Sequence, residues 1–140
     1  MVVHEHSLRV RYAETDQMGV VYHSNYLVYM EEGRTRMMAS LGQSYAELER
    51  AGWGLAVRKV EFRCRASAFY DDEILVRTRV ERVRGASVLF SYELWRRADD
   101  TLVTTGSTEL ACVRLGAERS VTSLPDEVRD VLEAAVEPSS

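Results

Sequence analysis

The sequence predicts an α+β protein in which one long helix packs against an antiparallel sheet of about five strands. Two observations carry this prediction. Apolar residues recur at helical spacing across residues 26–41, and from residue 59 onwards they alternate with polar residues, as in half-buried strands. A single long helix followed by several short strands is typical of a sheet with its helix on one face. The chain of 140 residues is long enough for one domain with its own core, which we place at 1–140.

The N-terminal part of the chain predicts a strand, a loop and the start of the helix. Apolar and polar residues alternate across 7–13, as in a strand. The segment 14–24 breaks this period and contains glycine, aspartate and histidine, which favours a loop. Either Ser24 or Asn25 could then cap the N-terminus of the helix at 26–41, because both side chains can accept a hydrogen bond from a free backbone N–H.

The end of the long helix is predicted at Gly42, since glycine readily adopts the left-handed conformation that ends many helices. A shorter helical segment is expected at 44–51. Acidic residues of the long helix precede basic ones at a spacing that allows ion pairs on its surface. These residues are Glu31, Glu32, Arg34 and Arg36.

Strands and turns make up most of the second half. The predicted strands are 59–65, 74–84, 88–94 and 102–115. The turn-forming residues between them are 70–72, 85–86 and 99–100. We therefore expect a four-stranded meander, followed by a short amphipathic helix at 124–136.

Composition excludes several classes of protein. The net charge of −4 argues against a nucleic-acid-binding protein, which normally carries a basic excess. No apolar stretch is long enough to span a membrane, and the charged N-terminus does not resemble a signal peptide, so we expect a cytoplasmic protein. Cys64 and Cys112 fit no metal-binding spacing and are expected to be buried free thiols. We expect His4 and His6 at a mobile end, and we predict no metal site.

The loop before the long helix contains the residues best suited to chemistry. Asp16 lies in this loop, Gly19 permits a close backbone approach, and His23 stands at the helix entrance. The N-terminus of a helix presents free N–H groups and partial positive charge, which can hold a carbonyl oxygen as it becomes an oxyanion. A nearby carboxylate can act as base or nucleophile. These residues would suffice for acyl transfer, although an aspartate before a helix also commonly forms a turn or cap.

The spacing of this loop resembles a known signature. The run Tyr12-x-x-Thr15-Asp16-x-x-Gly19-Val20-Val21-Tyr22-His23-x-x-Tyr26 is similar to that of the 4-hydroxybenzoyl-CoA thioesterase family of hot-dog proteins. It most resembles the bacterial subgroup that includes the Tol-Pal-associated acyl-CoA thioesterases. The likeness continues at Glu31-x-Gly33-Arg34, Arg84-Gly85-Ala86-Ser87 and Leu110-Ala111-Cys112-Val113, and thus spans most of the chain. It implies a hot-dog fold, in which the sheet wraps around the long helix.

The resemblance also implies an activity and the residues that perform it. It makes the protein a hydrolase of acyl-CoA thioesters that needs no cofactor and works as a homodimer or a dimer of dimers. Asp16 matches the catalytic carboxylate, and a backbone N–H near His23 matches the group that polarises the thioester carbonyl. His23 itself matches a second catalytic residue, which would orient water or the leaving group. The residues expected to shape the loop and pocket are Tyr12, Thr15, Gly19, Val21, Tyr22 and Tyr26. The residues expected to meet the CoA phosphates are Lys59, Arg63, Arg65 and Arg84.

Two departures and several alternatives accompany this interpretation. Met18 stands where relatives often have a small residue, so the pocket shape would differ. Another hot-dog branch uses a carboxylate within the helix, but we interpret Glu31 and Glu32 as arginine partners. The main alternative is a non-catalytic hot-dog protein that binds acyl-CoA or acyl-carrier protein. A hot-dog dehydratase would place its histidine and acid elsewhere. The sequence has no GxSxG motif and no phosphate-binding loop, which argues against a serine hydrolase and a nucleotide enzyme.

Overall fold

The computed structural model describes residues 1–116 and 118–136, and it contains a sheet and three α-helices in these parts of the chain. A 3₁₀ turn at Tyr12–Glu14 follows the first strand. The helices are α1 (Ser24–Ser40), α2 (Tyr45–Arg50) and α3 (Asp126–Val136). The strands are β1 (Val3–Arg9), β2 (Trp53–Cys64), β3 (Glu73–Val83), β4 (Ser87–Arg96), β5 (Thr101–Arg114) and β6 (Ser120–Val121).

The strands form one antiparallel sheet in the order β1-β3-β4-β5-β2, with the two-residue β6 beside β5. The prediction of one long helix and about five strands is therefore confirmed. The predicted four-stranded meander is wrong for β2, which pairs with β5 and not with β3. A hairpin between β2 and β3 would need a tight turn, but the chain between them crosses the end of the sheet. There the backbone N–H groups of Arg65 and Ala66 donate to the Val103 carbonyl oxygen on β5.

The core lies between α1 and one face of the sheet. Tyr29, Met30 and Met37 of α1 are almost fully buried and belong to one apolar cluster with Val76 and Phe90 of the sheet. Helix α3 contributes to the same buried cluster through Val128, Leu132 and Ala135. Their burial stabilises the fold by roughly 1.5–3 kcal/mol for each large apolar side chain.

The helix approaches the sheet most closely at Gly33. A Cβ atom at this position would lie 2.6 Å from both the Thr78 Oγ1 and the Val76 Cγ1 atoms of β3. No side chain fits in this space, so glycine sets the distance between α1 and the strand. This contact sets the distance between α1 and the sheet. It therefore also determines the position of the loop before the helix.

The opposite face of the sheet carries charged side chains in cross-strand pairs. Arg77 pairs with Glu5 and Glu93 on the two neighbouring strands, and Arg79 pairs with Glu93. Such partly exposed pairs contribute little stability, about 0–1 kcal/mol each. Their alternation with the buried residues accounts for the period of two in the sequence.

The element boundaries differ from the predictions mainly at the N-terminus. Strand β1 lies four residues earlier than expected, because Arg11 donates its backbone N–H to the Glu14 carboxylate and turns the chain. The helix cap is His23, without a capping side-chain hydrogen bond, and not Ser24 or Asn25. The predicted turns at 70–72 and 99–100 are confirmed, with Asp71 and Asp100 in the left-handed conformation.

Several side chains lie in other environments than predicted. Arg34 is buried beside Tyr45 and Tyr92 and forms no ion pair with Glu31 or Glu32, because it points from α1 into the protein. Cys64 is exposed, and it is the last residue of edge strand β2. Cys112 is buried, as predicted.

The N-terminal histidines belong to the fold. His4 and His6 lie in β1 opposite Thr78 and Val76 of β3, so they are not at a mobile end. His6 Nε2 lies 3.8 Å from the Glu32 carboxylate of α1. Among the helices that the structure describes, none combines the length and the apolar character that crossing a membrane requires.

Candidate functional site

The loop between β1 and α1 folds back on itself and places Asp16 at a tight turn. Thr15 and Val21 form an antiparallel bridge across the base of this loop. Inside the bridge, the Asp16 N–H donates to the Val20 carbonyl oxygen at 2.9 Å. The Gly19 N–H in turn donates to the Asp16 carbonyl oxygen at 2.9 Å. Gly19 has a φ of +79°, a conformation that side chains disfavour, so the turn requires glycine there.

The two oxygens of the Asp16 carboxylate have different environments. Oδ1 accepts hydrogen bonds from the backbone N–H groups of Met18 at 2.9 Å and Val20 at 3.4 Å. Oδ2 accepts none from the part of the chain that the structure describes. The carboxyl group is partly exposed. One oxygen therefore fixes the orientation of the group, and the other is available to a water molecule or a bound carbonyl carbon.

The start of α1 provides unpaired hydrogen-bond donors near this loop. The N–H groups of Asn25 and Tyr26 donate to the carbonyl oxygens of Tyr22 and His23. Those of His23 and Ser24 have no acceptor among residues 1–116 and 118–136. Free N–H groups at a helix N-terminus carry partial positive charge and can stabilise a developing oxyanion.

His23 is exposed at this helix end. Its ring lies against that of Tyr22, with the two ring centroids 4.3 Å apart. Its imidazole nitrogens make no hydrogen bond to a described residue. The sequence motif thus brings a carboxylate, free N–H groups and an accessible imidazole to one end of α1.

Glu14 is a further residue of this loop, and sequence reasoning missed it. Its side chain is buried and accepts hydrogen bonds from the Arg11 N–H at 2.8 Å and the Tyr29 hydroxyl at 2.9 Å. Burial, together with the Glu14 carboxylate, raises the pKa of the Tyr29 hydroxyl well above its usual value. A loop glutamate normally lies in solvent, and no local pattern links it to a tyrosine on the helix.

The chain between β2 and β3 supports the loop from behind. The Val21 N–H donates to the Ala68 carbonyl oxygen at 2.8 Å, and Val20 forms a bridge with Phe69. Arg96 binds the Ser67 carbonyl oxygen and the Asp99 carboxylate, which anchors this segment to the β4–β5 turn. These contacts depend on the sheet order and have no signal in the local sequence.

Some of the predicted pocket residues are exposed, and others are buried under the loop. Tyr12 is exposed and packs edge-to-face on Tyr70, with ring centroids 5.7 Å apart. Thr15 donates its hydroxyl to the Tyr12 carbonyl oxygen at 2.7 Å. Val21 and Tyr26 are 4% and 3% exposed, so in this chain they support the loop from below. Burial and the nearby Cys64 raise the pKa of Tyr26.

Three of the predicted phosphate-binding residues lie on β2 or directly after it, and the fourth lies in the β3–β4 turn. Lys59 is on the charged face of the sheet and pairs with Glu61 at 3.2 Å. Arg65 donates its Nε to the Thr105 hydroxyl at 3.2 Å, and Arg63 lines an open cleft of about 420 Å³ beside it. Arg84 is in the β3–β4 turn, at the other end of β3 from the Asp16 loop, and a strand of 11 residues spans roughly 33 Å at about 3.3 Å per residue.

The described residues contain no group of three or more histidine, cysteine, aspartate or glutamate side chains that could hold a metal ion.

Comparisons with known proteins identify the family of the chain. Residues 10–132 match the family model described as the thioesterase-like superfamily. YneP of Bacillus subtilis is 35% identical over 113 residues, which are 81% of each chain. Acyl-CoA thioesterase YbgC of Haemophilus influenzae is 33% identical over 87% of this chain and 88% of its own. The crystal structure of DHNA-CoA thioesterase from Staphylococcus aureus superimposes with a TM-score of 0.86 at 31% identity, over 96% of this chain and 93% of that one. The chain therefore belongs to the thioesterase-like superfamily and has its hot-dog fold.

Proposed function

We propose that this protein hydrolyses acyl-CoA thioesters to the free acid and CoA, with Asp16 as the catalytic carboxylate. One observation carries the proposal: Asp16 has one oxygen fixed by two backbone N–H groups and the other free, in the loop that leads into the unpaired N–H groups of α1. The Haemophilus influenzae relative is named an acyl-CoA thioesterase, and this name supports the substrate class. We assign this hydrolytic activity to a single domain at 1–140.

The reaction needs three events, and the site has a group for each. The thioester carbonyl oxygen would accept hydrogen bonds from the N–H groups of His23 and Ser24, which makes its carbon more electrophilic. The free oxygen of Asp16 either takes a proton from an attacking water molecule or attacks the carbon itself. If Asp16 acts as the base, the C–S bond of the water adduct breaks, and the CoA thiolate leaves and takes up the proton that Asp16 received. If Asp16 attacks, the C–S bond breaks as a mixed anhydride forms on Asp16, and a water molecule then hydrolyses this anhydride, which releases the free acid, restores the Asp16 carboxylate and supplies the proton to the thiolate. His23 would orient the water or the leaving thiolate.

We also propose that the working unit is at least a dimer. Strand β2 is at the edge of the sheet, and its apolar side chains Val57 and Val60 are 44% and 37% exposed. An uncovered apolar edge favours association with another chain. A second chain could also bring basic residues to the substrate that Asp16 meets, because Arg84 is distant from Asp16 within one chain. Light scattering measures the oligomeric state, and a fully active monomer would contradict this part of the proposal.

The test of the activity is a thiol-release assay with short, long and aromatic acyl-CoAs, run beside equilibrium binding of the same compounds. We expect turnover of at least one acyl-CoA without added metal or cofactor. Binding without turnover would overturn the proposal and favour the alternative, a non-catalytic acyl-CoA or acyl-carrier-protein binder. The relative rates across the panel identify the acyl group, which the sequence leaves open.

A further inference from the structure

Glu14 connects both ends of the catalytic loop to the central helix. Its carboxylate accepts three hydrogen bonds: from the Arg11 N–H at 2.8 Å, from the Arg11 Nε at 3.3 Å and from the Tyr29 hydroxyl at 2.9 Å. Its backbone carbonyl oxygen accepts two more, from the Tyr22 N–H at 2.9 Å and the Asn25 side-chain amide at 3.0 Å. One residue therefore contacts the start of the loop, its end, and the first two turns of α1.

A carboxylate is rarely buried without such partners, because the loss of hydration must be offset by hydrogen bonds or charge. The Glu14 side chain is 9% exposed, and the Arg11 side chain beside it is 77% exposed. The buried contact is therefore the one with Tyr29, whose ring is in the core at 1% exposure. Both Glu14 oxygens accept hydrogen bonds within the protein, and its side chain is buried, whereas Asp16 Oδ2 accepts none from the described residues.

The position of this contact determines what it controls. Glu14 precedes Asp16 by two residues, and the Tyr22 N–H that it binds precedes His23 by one. Asp16 and the residue with the first free N–H group of α1, His23, are therefore each within two residues of a group that Glu14 provides or binds. Rates of reactions between positioned groups depend steeply on such geometry, and a shift of about 1 Å can cost roughly a hundredfold.

We propose that Glu14, held by the Tyr29 hydroxyl, is a positioning residue that sets the distance between Asp16 and the free N–H groups of α1. This inference rests on the proposed thioesterase function and adds to it two residues that the sequence motif does not specify. Neither residue touches the substrate. Their effect is expected on the chemical step, because the pair fixes groups that react and not the surface that binds CoA.

The test removes one buried hydroxyl and keeps the ring. In Tyr29→Phe, we expect kcat to fall about ten- to a hundredfold while KM stays within about twofold, because the loop loses its attachment to α1. The matched control is Tyr92→Phe, which also deletes a buried, hydrogen-bonded tyrosine hydroxyl, the one 2.6 Å from the Thr108 hydroxyl. Tyr92 lies on β4, away from the loop, so its variant is expected to keep the wild-type kcat.

Thermal unfolding of both variants separates positioning from general stability. Equal losses of kcat and of Tm in Tyr29→Phe and Tyr92→Phe would overturn the proposal, and so would a Tyr29→Phe enzyme with wild-type kcat. If Tyr29→Phe does not fold, Glu14→Ala gives a second test from the other side of the contact, because it removes the carboxylate oxygen to which the Tyr29 hydroxyl and the Arg11 N–H both donate. Loss of kcat is expected there too, and unchanged kcat overturns the inference. A wild-type protein without thioesterase activity would instead contradict the proposed function.

Discussion

Replacing Gly33 by alanine is expected to destabilise the protein, although alanine is the better helix former. The added Cβ would lie 2.6 Å from the Thr78 Oγ1 and from the Val76 Cγ1, whereas ordinary contacts are 3.4–4 Å. Both neighbours are fully buried on β3. They are also β-branched, so their side chains rotate reluctantly. The methyl group can therefore be accommodated only if α1 moves away from the sheet.

The structure sets the size of the effect. Overpacking a filled core costs about 1–3 kcal/mol. Alanine in place of glycine within a helix returns up to about 1 kcal/mol. We expect a net loss of about 1–2 kcal/mol, since two contacts are violated at once. With an unfolding entropy of about 2.1 cal/mol/K per residue, this lowers Tm by roughly 3–7 °C for a chain of 140 residues.

The assay measures thermal unfolding by calorimetry. All variants are compared at one protein concentration, because association between chains makes Tm concentration-dependent. Gly85→Ala is the matched control. A Cβ at Gly85 meets nothing within 4 Å, and no positive φ is required there. Its Tm should stay within about 2 °C of the wild type, as for most surface substitutions. If Gly33→Ala is as stable as Gly85→Ala, the close approach of α1 to β3 does not constrain the fold as argued.

Two further predictions concern histidines. In His23→Ala, turnover should fall to roughly a tenth, which is a smaller loss than in Asp16→Asn, because an imidazole that only orients water or thiolate contributes less than a catalytic base. Steady-state assays with the best acyl-CoA measure this loss. Full activity of His23→Ala would show that His23 has only a structural role. Burial, together with the neighbouring His6, lowers the pKa of His4, so the unfolded chain binds the proton more readily than the folded one. Above about pH 6.5, His4 is neutral in both states and does not lower the free energy of unfolding. As the pH falls from the pKa of the unfolded chain towards that of the folded one, the unfolded chain takes up the proton first, and the free energy of unfolding decreases. We expect the Tm of His4→Gln to fall less than that of the wild type between pH 7.5 and pH 5, and parallel curves would refute this assignment.

Elements with local signals could be predicted from the sequence. The helical period across 26–41 gave α1, and the aspartates at 71 and 100 marked turns that adopt the left-handed conformation. The Asp16 loop could also be predicted, because the spacing of its residues resembles the motif of a known family. Its tight turn depends on Gly19 and on hydrogen bonds within five residues.

Features that depend on distant parts of the chain could not be predicted. The place of β2 beside β5 is decided by which edges remain free once β3, β4 and β5 have paired, and the alternation within β2 is the same in either place. The exposure of Cys64 follows from that placement. Glu14 and Tyr29 are fifteen residues apart and on different elements, so neither side chain indicates the other until the loop is folded onto α1.

The most direct test of the account compares Asp16→Asn with Asp130→Asn in the thiol-release assay. Both changes replace one carboxylate by an amide of the same shape, but Asp130 is an exposed residue of α3 without an ion pair to a described residue. We predict that Asp16→Asn lowers kcat/KM by about 10²–10⁴ with an unchanged Tm, the usual contribution of a catalytic base, and that Asp130→Asn matches the wild type. An Asp16→Asn enzyme with near-normal kcat/KM would contradict the assignment of Asp16 as the catalytic carboxylate.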